Sequence, residues 1–357
     1  MIDSSPLTSQ GLEAILKQIP RLKIGVIGDL FLDRYLDLDA SLTEPSLETG
    51  LDAYQIVNVR SSPGAAGTVI NNLSALGVKE IFPIAVVGND GECYELLQAL
   101  DRLDTVNLHG LIVASERRTP TYIKPMLMEA GRGPNELNRL DIKNRHPMSD
   151  ALDAQIQSKL QEIWPKIDAL VVLDQVSELN CGVITERTLE QLTTLAAKEP
   201  NKFVLADSRE RIECFLNMCL KPNRQESLRA SGIRADDSED LLEQAAVQLA
   251  HRAGRSVFCT DGARGILIAS PQVGDKPMWT RIPAYPVSGP IDIVGAGDST
   301  SAAIVCAMAS GVSVQAAASF GNLVASITIQ QIGTTGAATP EQIRQRQQEV
   351  TLSGPEA

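Results

Sequence analysis

Asp298 closes the string Asp292-Ile293-Val294-Gly295-Ala296-Gly297-Asp298, and the small, apolar run Ser299 to Ser310 follows it. Gly295, Ala296 and Gly297 carry almost no side-chain bulk, so the backbone can turn sharply and an anion can approach its amides. The run behind them is apolar on every side and stops at Gly311, which predicts a buried helix with a glycine at its C-cap. A glycine turn feeding a helix N-terminus makes an anion hole from N–H groups and the positive end of the helix dipole. One chemistry suits a carboxylate placed there: taking the proton of a hydroxyl as a phosphoryl group is transferred to it. A bare Gly-x-Gly with an Asp would be explained equally by a helix N-cap.

Elements that could position such a turn recur along the chain. Leu22 to Gly28 reads as a buried strand with Asp29 at its carboxyl end. The apolar runs 169–173, 203–206 and 257–260 lead in the same way to Asp174, Asp207 and Asp261. Helical stretches at 151–163, 183–198 and 238–253 separate them, with a leading helix from Gly11 to Ile19 and a buried one over 314–330. Strands alternating with helices predict an α/β fold with a doubly wound, mostly parallel sheet flanked by helices. Ligands bind such sheets outside the carboxyl ends of the strands, where the four aspartates would gather. Residues 36–60 and 105–130 carry strand-like runs (53–59 and 121–128) without a crossover helix. They predict a small antiparallel β-sheet lid inserted into one domain spanning 1–357; two edge strands of the main sheet are the alternative. Gly131 to Asn135 reads as a polar loop, and Ser353 to Ala357 as a frayed tail.

Composition narrows the partners. A net charge of −12 argues against nucleic acid and anionic membrane surfaces, and it requires local cations, helix N-termini or a metal wherever phosphate binds. The hydrophobic share of 43% is enough for a sizeable core. Six scattered cysteines without a CxxC pair, and only three histidines, predict buried thiols of a reducing cytoplasm and no zinc site. Neither a signal peptide nor a run of membrane-spanning length is apparent. There is no Walker A pattern, no GxGxxG after the first strand and no nucleophile elbow, which weakens P-loop, dinucleotide and serine-hydrolase readings.

The full Asp-x-x-Gly-Ala-Gly-Asp string resembles the signature of the PfkB/ribokinase-like sugar kinases, and the resemblance extends over roughly residues 22–345. Gly28-Asp29-Leu30-Phe31-Leu32-Asp33-Arg34-Tyr35 is similar to the GDxxLDRY of the heptose-7-phosphate kinase domains of ADP-heptose synthases. The resemblance implies a ribokinase-like fold and an ATP-dependent carbohydrate kinase acting on a sugar or, preferentially, a sugar phosphate. Asp298 would be its general base, and the amides of Gly295, Ala296, Gly297 and Asp298 its anion hole. Asp29, Asp33, Gly64, Thr68 and Arg139 fall where the family holds its sugar, although a surface salt bridge would explain Arg139 equally well. The family writes Gly-Gly-x-x-Asn at the third stretch; here Ala65 replaces the second glycine and Thr68 the asparagine, so the sugar contact must differ.

Asn223, Thr260, Gly262, Gly265 and Asn322 match positions around the nucleotide. Glu226, in Asn223-Arg224-Gln225-Glu226, matches the carboxylate that organises Mg2+ through water. Asp292, with the Gly333 to Gly336 loop, resembles the site of a monovalent cation such as K+. Related kinases pair their lids, so a homodimer through the lid is expected, with a small-molecule substrate and no nucleic-acid or membrane partner. A nucleoside kinase of the same fold and a non-catalytic sugar- or nucleotide-binding relative are the competing readings.

Overall fold

Lys23 to Gly28 and Ala169 to Asp174 are apolar almost without interruption because both faces of their sheet are covered. The structure, a computed structural model, describes residues 7–129, 131–233, 239–271, 278–333 and 335–353. The tail beyond Ser353 and Thr334 of the 333–336 loop lie outside the described residues. In chain order the first half runs α1 (Ser9–Gln18), β1 (Lys23–Gly28), β2 (Leu30–Pro45), β3 (Asp52–Ala65), α2 (Ala66–Ala75), β4 (Glu80–Gly88), α3 (Gly91–Leu100), β5 (Leu111–Ala114), β6 (Thr121–Met128), β7 (Asn135–Glu136) and β8 (Leu140–Ile142). Then come α4 (Asp150–Ile163), β9 (Ala169–Asp174), α5 (Glu186–Lys198), β10 (Phe203–Ser208), β11 (Cys219–Leu220), α6 (Arg224–Ala230) and α7 (Glu239–Ala253). The chain closes with β12 (Val257–Thr260), β13 (Ile266–Ser270), β14 (Met278–Ile282), α8 (Ala296–Ala309), α9 (Val314–Thr328) and α10 (Pro340–Ser353). Polar side chains start several of the helices by accepting a backbone N–H: Asp90 for α3, Ser149 for α4, Thr185 for α5 and Ser313 for α9.

The main sheet has the order β14-β13-β12-β11-β10-β9-β1-β4-β5. Pairing is parallel from β12 through β1 to β5, and antiparallel only at the β12–β13–β14 end. Order reverses about β1, which lies between β9 and β4, so the crevice of a doubly wound sheet opens at the carboxyl ends of β1 and β9. One face packs against α1, α2, α8 and α9, and the other against α4, α5 and α7. On α8, Ala302 to Ala307 are all fully buried. A Cβ on Gly321 would come within 3.2 Å of the Ile304 side chain, so that glycine sets how closely α9 can approach α8.

The small sheet runs β3-β2-β6-β7, with β8 also on β6, and it is mixed, not antiparallel throughout, because β2 and β6 pair in parallel. It is wider than 36–60 on its first side, because the β2–β3 hairpin spans residues 30–65. On its second side it starts at Thr121, not at residue 105: Leu111 to Ala114 pair with Ala85 to Gly88 as the edge strand of the main sheet. Two of those four residues are buried, as an apolar edge strand packed on α4 requires. The polar stretch after Gly133 is not simply loop, since Asn135–Glu136 and Leu140–Ile142 both pair with β6.

Candidate active site

At the turn before α8, Gly295 takes φ 78°, a left-handed backbone that suits glycine, and Asp298 sits in the first turn of the helix. The Ala296 amide donates to the Ile293 carbonyl at 3.1 Å, which closes the turn. The amides of Gly297 and Asp298 follow, at helix positions that have no carbonyl partner within the helix. Asp298 is half-buried. Burial, followed by repulsion from Asp207, pushes its carboxyl up to about 7, against the opposing pull of Lys221 and Arg209. A carboxyl in that range is suited to exchanging a proton near neutral pH.

Lys221 is the cation beneath this turn. It is buried, its Nζ lies 2.8 Å from Asp207 Oδ2, and a Cβ on Gly297 would stand 3.6 Å from the same Nζ. Burial alone would push the ammonium down, but Asp207, with Glu226 and Asp298 beyond it, holds it above its ordinary value. Ser301, on the next turn of α8, donates to Asp207 Oδ2 at 3.3 Å. Sequence reasoning passed over Lys221, although a lysine directly after the apolar strand residues Cys219–Leu220 was a visible signal.

The four strand-end aspartates gather at one edge, and each is already engaged. Asp174 receives Arg211, Asp207 receives Lys221, and Asp261 lies against Arg224, Arg264 and Arg281. Asp29 accepts three backbone N–H groups, from Val183 (2.7 Å), Gln175 (3.1 Å) and Val176 (3.2 Å). Burial nonetheless dominates and raises its carboxyl to about 6. Expected as a sugar ligand, Asp29 is therefore also a tie between β1 and the segment after β9.

Beside it opens a cavity of about 220 Å³, walled by Asp29 and Phe31, by Gln175 to Glu178 and Gly182, and by Tyr122, Arg139 and Lys143 of the small sheet and the segment after it. Arg117 and Arg209 complete its basic lining. Arg139 forks onto Asp141 (2.7 and 2.9 Å) and stacks 4.1 Å over the Tyr122 ring. Asp33 is buried and faces Lys124 at 3.4 Å, with its Oδ1 unpartnered among the described residues. Its neighbour Arg34 turns away to Glu92 and Glu95. Gly64 lies against Asp33, whose Cγ would be 2.8 Å from a Cβ there. Thr68 is buried one turn into α2, and its methyl would be 3.5 Å from a Cβ on Gly295, so the altered residue borders the Asp298 turn. Asn72, a turn further on, donates to the Thr68 carbonyl at 2.9 Å.

On the far side of Asp298, Asn223 and Glu226 form a reciprocal capping box at the start of α6, with both contacts under 3 Å. Burial, followed by Asp207, raises the Glu226 carboxyl. Thr260 and the glycines at 262 and 265, both at positive φ, form the turn between β12 and β13. At Gly265 a Cβ would strike the Ile282 carbonyl at 2.2 Å. Asn322, expected at the nucleotide, has its amide engaged with the carbonyls of Ile282 and Pro283, both at 3.0 Å. It thus ties α9 to the end of β14. Asp292 accepts from the amides of Val294 and Gly333, each at 3.0 Å, joining the Asp298 turn to the 333–336 loop. Among the described residues no group of three or more His, Cys, Asp or Glu is arranged to hold a metal.

A doubly wound parallel sheet with a small second sheet beside the crevice at its carboxyl ends is the ribokinase-like fold. Solved structures share that fold over most of both chains. Arabidopsis thaliana ribokinase complexed with ribose and ATP matches with a TM-score of 0.66 at 17% identity, covering 91% of this chain and 98% of that one. Escherichia coli phosphofructokinase-2 in complex with potassium gives 0.68 at 17%, covering 92% and 99%. The chain belongs to the pfkB family of carbohydrate kinases, whose family model matches residues 25–342. Among curated relatives, the bifunctional protein HldE of Desulfatibacillum aliphaticivorans is 29% identical over 87% of this chain, and that of Pelobacter propionicus 30% over 93%. The chain spans 60% and 64% of the lengths of those two relatives.

Proposed function

We propose that this carbohydrate kinase transfers the terminal phosphoryl group of ATP to a hydroxyl of a sugar phosphate, with Asp298 as general base. The observation that carries the reading is the place of Asp298, in the first turn of α8 beside the Gly295–Gly297 turn, where burial pushes its carboxyl up to about 7. As the acceptor oxygen bonds to the γ-phosphorus, the bond from phosphorus to the β,γ-bridging oxygen breaks. The hydroxyl proton passes to Asp298 and ADP leaves with the bonding pair. The Gly297 and Asp298 amides and the helix dipole stabilise the charge on the phosphoryl oxygens. Four basic side chains at the cavity (Arg117, Arg139, Lys143, Arg209), in a chain of net charge −12, favour a substrate that is itself anionic. Likeness to the HldE proteins favours a heptose phosphate.

Nucleotide would lie on the Asn223, Thr260 and Gly262–Gly265 side. Mg2+ suits Glu226, which fits a role through water better than direct ligation, because one of its oxygens already accepts the Asn223 amide. The ion would offset the charge of the phosphates. A monovalent cation such as K+ suits Asp292 and the carbonyls of the loop it joins.

The small sheet carries the case for a homodimer. β3 is an edge strand, and Tyr54, Ile56, Val57 and Val59 on it are each 44–55% exposed. Such an edge calls for a partner, and a second copy across a two-fold axis supplies an identical one. All six cysteines are free thiols, and no helix of the described residues is long and apolar enough to cross a membrane. Both fit the proposed cytoplasmic setting.

The test is ATP consumption against a panel of sugars, sugar phosphates and nucleosides, with Asp298→Asn alongside. Turnover on a sugar phosphate that falls ~10² to 10⁴-fold in the variant, with nucleotide still bound, is the expected result. Preference for a nucleoside would overturn the substrate class, and turnover within a few-fold of wild type would reduce Asp298 to a helix cap.

A further inference from the structure

Four cations line the cavity, and three of them are already tied. Arg139 and Lys143 share Asp141, at 2.7 and 3.7 Å. Arg117 gives its guanidinium to the carbonyls of His146 and Cys181. Arg209 differs: among the described residues only its Nε is engaged, donating to the neutral Gln175 Oε1 at 2.7 Å, whereas Arg117 commits both terminal nitrogens; like Arg117, it has no carboxylate within ion-pair distance. Its backbone is held on both sides, by its own amide on the Asp174 carbonyl (3.1 Å) and by Arg229 on its carbonyl.

Chain geometry puts this arginine between the two halves of the site. Two residues earlier, Asp207 grips Lys221, whose Nζ lies under the Gly297–Asp298 turn. Two residues of extended chain reach only ~7 Å. Arg209 thus lines the cavity while its backbone stands within that reach of the aspartate that holds Lys221, and its charge is felt at Tyr122, Glu226 and Asp298 alike. Lys221 cannot supply that charge, because Asp207 holds it.

We propose that Arg209 is a catalytic arginine of this kinase, contacting the phosphoryl group as it passes from nucleotide to acceptor. This rests on the kinase reading above and adds the cation at the point of transfer. In the step already written, negative charge spreads over the equatorial oxygens of the transferring group while the proton goes to Asp298. Arg209 contributes neither proton nor bond. Its planar fork of N–H donors meets those oxygens from the acceptor side, opposite the charge held by the nucleotide end.

The experiment compares wild type, Arg209→Gln and Arg209→Lys in two assays on the full chain, with thermal melts to establish folding. In the first, kcat, KM and their pH profiles are measured on the best substrate of the panel. In the second, affinity is measured for ADP alone and for ADP with Mg2+ and aluminium fluoride, a planar mimic of the transferring phosphoryl group. Arg209→Gln is expected to lower kcat at least ~100-fold, the scale for losing one such donor. It should also lose the preference for the fluoride mimic over ADP, and shift the acidic limb of the kcat profile to higher pH. Arg209→Lys should restore the pH limb and part of kcat. A kcat within threefold of wild type, or a loss confined to KM for the acceptor, would overturn the proposal while leaving the kinase reading intact. A wild-type chain that neither turns over a panel member nor prefers the mimic would overturn both.

Discussion

Ala65 offers a test that needs no substrate. It holds φ 52° and ψ −115° at the entry to α2. That is the first central position of a type II′ turn, near φ +60° and ψ −120°, which belongs to glycine because a Cβ there crowds the backbone. Residues forced into sparsely populated regions cost ~1–3 kcal/mol each. Replacing Ala65 by Gly removes that strain but returns entropy to the unfolded chain, worth ~0.4–1 kcal/mol against it. Loss of a half-buried methyl subtracts about 0.4 kcal/mol more, half of the ~0.8 for a fully buried one. Taking midpoints, Ala65→Gly should stabilise the chain by about 1 kcal/mol, or about 1–3 °C in Tm for a chain of this size. Urea unfolding followed by circular dichroism would measure it, with Ala66→Gly as the control. Ala66 is the first residue of α2 and buried, so the same change there should destabilise by ~0.5–1 kcal/mol. Equal losses at both positions would refute the argument, because they would mean that Ala65 carries no strain.

Four further outcomes are expected. The kcat/KM profile, which reports the free enzyme, should rise with unit slope below about pH 7 and flatten above it, because Asp298 must be ionised to take a proton; a flat profile from pH 5 to 8 would contradict the assignment. The same raised carboxyl has the opposite effect on folding: its stability penalty is absent below its ordinary value near 4 and complete above about 7, so its contribution to stability declines as pH rises between them. Lys221→Met strands the Asp207 charge in a buried site and should cost ~3–5 kcal/mol in urea unfolding, with part recovered in the Lys221→Met/Asp207→Asn double variant; a loss below ~1 kcal/mol would show the pair to be solvated. Sedimentation velocity at micromolar concentration should find a dimer that Ile56→Glu dissociates, whereas a monomeric wild type would rule out pairing through β3.

Four strands of the parallel core, β1, β9, β10 and β12, were legible because strands covered on both faces are written as unbroken apolar runs and these four lead to Asp; β4, equally buried but followed by Asn89, was not read. The Asp298 turn was equally legible, since few residue types tolerate its geometry. Residues 105–120 were not, because a four-residue apolar strand reads alike at the edge of either sheet, and only its pairing with Ala85 to Gly88 decides the matter. Spacing also could not reveal how the carboxylates and amides were employed. Asp29 and Asn322 stand at the motif positions expected of ligands, yet their partners are backbone groups 39 to 154 residues away in sequence. Lys221 and Arg209 were missed for a related reason: a basic residue after a strand acquires meaning only when Asp207 is seen to hold one of them and not the other.

Asp29 gives the cavity an outline written in main chain. The wall it fixes includes Gln175, Val176, Gly182 and Val183, three of them through their amides. Gly182 has no room to vary, since a Cβ there would fall 2.6 Å from Asp29 Oδ1. Side chains on the opposite wall, among them Tyr122, Arg139 and Lys143, belong to the small sheet and the segment after it and are not bound by that tie. Substrate preference and architectural integrity are thereby assigned to different parts of the polypeptide. On the proposed reading of the cavity as the acceptor site, drift toward a new sugar would proceed on the small-sheet wall one side chain at a time, while a change at Asp29 would dismantle the frame for every sugar at once.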